Sequence, residues 1–160
     1  MKRTTSILPV YALTLALAAP LWAGGNFKPA DAKALDVRIV SEPSGYDQPM
    51  QRPGAVIQAE ARCSKLVPRG IEVTLRWEVT LEGAKAHRVD LTEFRDGFAK
   101  GRFLTSGERP LGERSLPFEE ASPGLYYYWR VLTSTDAGWV VSATGRFDAP
   151  VCASDIEDGE

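Results

Sequence analysis

The sequence predicts an all-β fold, an antiparallel β-sandwich of about seven to eight strands. Three observations carry that expectation. Ile71–Glu82 alternates without a fault, with Ile71, Val73, Leu75, Trp77, Val79 and Leu81 on one side and Glu72, Thr74, Arg76, Glu78, Thr80 and Glu82 on the other. That is the period of a half-buried strand; a helix would spread both sets around its circumference. Gly124–Thr135 and Trp139–Phe147 are rich in aromatic and β-branched residues and flank the polar stretch Ser134-Thr135-Asp136-Ala137-Gly138, so they read as a hairpin. Finally, short alternating runs recur between Gly- and Pro-containing stretches, about eight in all.

Taken in order, the chain opens with Met1-Lys2-Arg3, an apolar run from Ile7 to Ala19, and Pro20-Leu21-Trp22-Ala23. A basic start, a short apolar run and a small residue predict a signal peptide over 1–23, cut after Ala23. The run is too short for a membrane-spanning helix, and no later stretch replaces it. The expected location is the periplasm or the cell exterior. Residues 24–34 are small and polar and read as a flexible linker, 35–152 as the sandwich domain, and 153–160 as an acidic, disordered tail.

The whole chain has 160 residues, 19 basic and 21 acidic. Removing 1–23 takes Lys2 and Arg3 and no acid, leaving 17 against 21, net −4, over 137 residues. That suffices for one domain with a core. It is too mild a charge to imply a nucleic-acid partner, and no basic stripe interleaves with aromatics.

Within the domain, Leu35–Val40 alternates as a first strand. Ser41–Gly54, with three prolines, reads as a long loop, functional or mobile. Ala55–Cys63 places Ala55, Ile57, Ala59, Ala61 and Cys63 on one face, and Lys65–Gly70 turns the chain. His87–Phe94 and Phe98–Thr105 read as strands around Arg95-Asp96-Gly97, Ser106–Glu113 as a loop, and Arg114–Glu119 as a short strand. In the hairpin, Leu125, Tyr127, Trp129 and Val131 share a face with the core, as do Trp139, Val141, Ala143 and Phe147. Tyr126, Tyr128, Arg130 and Leu132 share the opposite face.

Pro123-Gly124, followed by Tyr127 and alternating apolar residues, resembles the F strand of immunoglobulin-like and fibronectin type III-like sandwiches. The resemblance implies a tyrosine corner, with the Tyr127 ring buried and its hydroxyl bonded back to the preceding loop. It covers about Leu35 to Phe147. Cys63 and Trp77 are spaced like the B-strand cysteine and C-strand tryptophan of immunoglobulin domains. Trp129 stands where that family's second cysteine would be, and Cys152 follows the last strand instead. The expected structural core includes Trp77, Tyr127, Trp129 and Phe147.

Two cysteines in an exported chain suggest a Cys63–Cys152 disulfide, with two buried thiols or an intermolecular bond as the alternatives. Both would lie at one end of the sandwich if every connection is a simple reversal.

A search for chemistry finds no catalytic constellation. His87 is the single histidine and reads as a surface strand residue; no G-x-S-x-G elbow accompanies it. One His and two distant Cys make no zinc site, and the tail acids lack calcium-loop spacing. Glu119 and Glu120 are neighbours that point to opposite faces, read as a solvated loop entrance. No metal and no cofactor is expected. The feature above background is the row Tyr126, Tyr128, Arg130 and Leu132, the candidate binding strip. The expected function is an exported, non-catalytic binding or accessory module. Its partner would be an envelope or extracellular protein, with a polysaccharide stacked on the aromatic strip as the alternative and a small enzyme third.

Overall fold

A computed structural model of the chain describes residues 25–41, 50–51 and 54–153. The expected leader 1–23, most of the Ser41–Gly54 loop and all of the acidic tail except Ala153 lie outside the described residues.

The described chain is all-β, in two largely antiparallel sheets. Its elements are β1 (Lys28–Pro29), α1 (Ala32–Leu35), β2 (Ile39–Ser41), β3 (Met50–Gln51), β4 (Ala55–Cys63), β5 (Ile71–Val79), β6 (Ala86–Thr92), β7 (Leu104–Pro110), β8 (Ser115–Phe118), β9 (Tyr126–Thr135) and β10 (Gly138–Asp148). The small sheet runs β4-β5-β8; the large one runs β1-β7-β6-β9-β10-β2, with β3 also on β10. β2 pairs with β10 in parallel, the exception to the antiparallel rule.

β5 justifies the small sheet. Ile71, Val73, Leu75, Trp77 and Val79 are all buried, and β4 lays Ile57 opposite Trp77 and Ala59 opposite Leu75. The other face carries the ion pairs Arg62–Glu72 and Arg76–Glu60, so this sheet is dry on one side and wet on the other. Its dry face meets Val89, Leu91, Tyr127, Trp129, Val131, Ala143 and Phe147 of the large sheet in one core. Gly145 of the large sheet lies close against the small one: a Cβ there would stand 2.8 Å from Ile57 Cδ1, so that side chain would have to shift to admit one.

The large sheet is buried on both faces. On its outer side Leu132, Val141 and Thr144 have no exposed surface, and Phe98 and Phe103 from the β6–β7 connection lie over it. Under them, Asp90 Oδ2 accepts from Arg88 at 2.8 Å and from Arg130 Nε and a terminal nitrogen at 3.2 and 3.1 Å. The Arg130 guanidinium stacks 4.3 Å from the Phe98 ring centroid. Burial on both faces explains why Tyr126–Leu132 is apolar almost throughout.

Several expectations need correction. Residues 24–34 are not a free linker over their described part. Phe27 is buried with its ring 5.6 Å from Phe118, β1 pairs with β7, and Asp31 caps α1 through the Ala34 N–H at 2.9 Å. One aromatic anchor outweighs a polar composition. The first strand is not Leu35–Val40 either, since α1 ends at Leu35 and β2 begins at Ile39.

The strand after β6 is Leu104–Pro110, not Phe98–Thr105. Ser106-Gly107 forms a bulge opposite Val89, whose N–H donates to Ser106 Oγ at 3.0 Å, and Gly107 takes φ +68°. Gly and Pro there signal a bulge and an edge position rather than a loop. A second bulge, at Val141–Ala143, turns Trp139 and Val141 to the outer face, where Arg88 lies 5.3 Å over the Trp139 ring. Ala143 and Phe147 stay inward.

Candidate functional site at the disulfide end

β4 and β10 both finish at one end of the sandwich, where β5 and β9 begin. Cys63 and Cys152 form a disulfide there, with Cα atoms 5.6 Å apart across a separation of 89 residues. Cys63 is exposed and Cys152 half-buried, so the bridge ties the two sheets together at the rim rather than within the core. Beside it, Tyr127 is buried near the start of β9. Its hydroxyl accepts from the Ser122 N–H at 2.8 Å, and its ring stacks on Phe147 at 5.2 Å and meets Phe118 edge-on at 5.3 Å.

This end is also the apolar tip of the molecule. Of the ten large hydrophobic residues exposed among the described residues, six lie here: Leu66, Val67, Phe94, Leu125, Tyr126 and Val151. Leu66 is 88 % exposed. Its loop is nonetheless fixed. Ser64 Oγ accepts from the Leu66 and Val67 N–H groups at 3.1 and 3.2 Å and donates to Glu72 at 2.7 Å. Gly70 closes the turn onto Val67 at 2.9 Å, and Arg69 holds φ +60°, a left-handed conformation rare outside glycine. Hydrogen bonds from Ser64 and Arg62 keep the Glu72 carboxyl below its usual range. A rigid loop offering bare apolar side chains has already met the ordering cost that binding would otherwise impose.

The strip expected on the outer face of the hairpin is split. Tyr126 is exposed and Tyr128 half-buried, but Arg130 and Leu132 are covered by the second layer and are unavailable to a partner. Instead Phe94 and Leu125 join the two tyrosines around a shallow depression with Glu93, Arg95 and Asp96, and Arg146 lies 5.1 Å over the Tyr126 ring. Sequence reading passed over Phe94, Leu66 and Val67. The available signal was an apolar pair, Leu66-Val67, inside a turn that should be polar.

His87 is not a surface residue. It is 1 % exposed, with Nδ1 3.1 Å from Thr133 Oγ1, which is 2.6 Å from Ser142 Oγ, and its ring is edge-on to Trp77. Burial, and then Arg114, lower its pKa. A His–Thr–Ser chain has the elements of a relay, but all three side chains are buried inside the sandwich, and no carboxylate among the described residues is hydrogen-bonded to the imidazole. Glu120 is not fully solvated: Oε2 is enclosed without a hydrogen-bond partner, and burial, then Glu119, raises its pKa.

No group of three or more His, Cys, Asp or Glu side chains among the described residues is placed to hold a metal. Nor is any described helix long and apolar enough to cross a membrane. No protein-family model matches the chain, and no curated protein matches it.

Proposed function

We propose that this protein is an exported, non-catalytic binding module that grips a protein partner with the apolar loop end of its sandwich. The observation that carries the reading is the gathering of Leu66, Val67, Phe94, Leu125, Tyr126 and Val151 at one end, next to the disulfide. Exposed apolar groups collected in one place mark an interaction site, whereas scattered ones do not. Four of the six are aliphatic. Sugar rings stack on flat aromatic faces, so this composition favours a protein. Phe94 and Tyr126 beside Glu93 and Asp96 support polysaccharide binding as the second reading.

The disulfide fits an oxidising compartment, the periplasm or the cell exterior. The Tyr127 corner supports kinship with immunoglobulin-like and fibronectin type III-like sandwiches.

The test is capture and cross-linking from the host's envelope with folded wild type and three variants. Leu66→Ser/Val67→Ser and Phe94→Ala/Tyr126→Ala alter the tip; Leu81→Ser alters the far end. At least one tip variant should lose a specific protein partner roughly tenfold or more, as central anchors do, while the far-end variant keeps it. Equal capture by all four would sink the reading. Polysaccharide retention lost only with Phe94 and Tyr126 would install the second.

A further inference from the structure

The sandwich does not fill completely along one side. Leu91 of β6, Phe103, Phe118 of β8 and Tyr127 of β9 surround a cavity of about 390 Å³, mostly apolar, with Glu120 in its lining. That volume lies within the roughly 300–1,000 Å³ of small-molecule sites. Hydrogen bonds hold its walls. The Ala30 N–H donates to the Phe103 carbonyl at 2.9 Å, Thr92 Oγ1 to the Arg102 carbonyl at 2.6 Å, and the Ser122 N–H to the Tyr127 hydroxyl at 2.8 Å. Walls fixed in this way do not collapse into the space, and a ligand entering it has little left to order.

The lining also says what kind of ligand fits. Glu120 Oε2 is enclosed and has no hydrogen-bond partner. The charged neighbour that acts on this carboxyl is Glu119, a second acid. Arg102 lines the same cavity, but its charge acts on Asp96. A carboxylate partly drawn out of water beside another acid calls for a cation. Phe94, Phe103, Phe118 and Tyr127 add aromatic rings to the lining, and ring faces attract ammonium groups as well as apolar ones.

We propose that this cavity binds a small organic amine, with its ammonium on the Glu120 carboxylate and its apolar body against Leu91, Phe103, Phe118 and Tyr127. The site adds a small-molecule ligand to the protein-binding reading and does not depend on it. A neutral alcohol of the same shape leaves the Glu120 charge unmet. An acid of similar shape brings a third carboxylate beside Glu93 and Glu120.

The test titrates the purified protein with phenethylamine, phenethyl alcohol and hydrocinnamate, following heat and the NMR methyl signals of Leu91 and Leu104. Phenethylamine should saturate and shift those signals, binding roughly tenfold or more tightly than the alcohol, with hydrocinnamate weakest. Glu120→Gln, shown to unfold cooperatively, should bind amine and alcohol alike, whereas Glu119→Gln should keep the preference. The wild-type order of the three compounds decides the charge preference even if Glu120→Gln does not fold. No saturable binding by any compound overturns the site. Equal binding of amine and alcohol by the wild type, or a preference that survives Glu120→Gln, overturns the pairing with Glu120.

Discussion

At the scale of single residues, His87 is the clearest case of environment overruling type. Alternation in β6 predicts only which face it takes; the neighbours that bury it come from β5 and β9. Because burial lowers its pKa, the folded protein resists a proton that the unfolded chain accepts. The imidazole's contribution is therefore complete above the unfolded value of about 6.5 and is lost as pH falls from there toward the lower folded value. Unfolding free energy should decline as pH falls below about 6.5. Glu120, with its pKa raised, works in the opposite sense, so the readout is the difference between wild type and His87→Gln. The variant should have the flatter profile by denaturant titration. Parallel profiles would show that His87 does not carry the slope; it is the single histidine of the chain, so no other imidazole can.

At the scale of elements, the amino-terminal segment does more than its composition promises. Phe27 closes the gap between the β7 edge of one sheet and the β8 edge of the other, against Phe118. Phe27→Ala should cost about 3–5 kcal/mol, the usual range for a large buried aromatic, measured by denaturant unfolding. A free linker would give no change. The strands themselves were legible where one face is wet. β5 and β4 alternate because their outer face carries Glu60, Arg62, Glu72 and Arg76. β7 was misplaced by several residues because its bulge glycine and edge proline imitate a loop. The Trp139 orientation was missed because a one-residue bulge reverses every side chain beyond it.

At the scale of the whole molecule, the disulfide joins β4 of the small sheet to the chain just after β10 of the large one. Closing a loop of 89 residues stabilises by about 4–5 kcal/mol in the chain-entropy model. Cys63→Ser/Cys152→Ser should lose a substantial part of that, and reduction of the wild type should reproduce the loss. Equal stability of oxidised and reduced protein would remove the bridge from the account of the fold. The bridge also sits beneath the apolar tip, so the double variant should weaken partner capture even where the sandwich remains folded.

The sequence by itself determined the all-β class, most strand positions, and the inward set Trp77, Tyr127, Trp129 and Phe147. These follow from local alternation, which one chain segment encodes without reference to any other. Only the tertiary structure decided that a second layer covers Arg130 and Leu132, that His87 is enclosed, and that Leu66, Val67, Phe94, Leu125, Tyr126 and Val151 are exposed at the same end. Those facts depend on which segments cross above a strand and at which end loops gather. Side-chain alternation names two faces for every strand; packing by distant residues decides which of them water reaches.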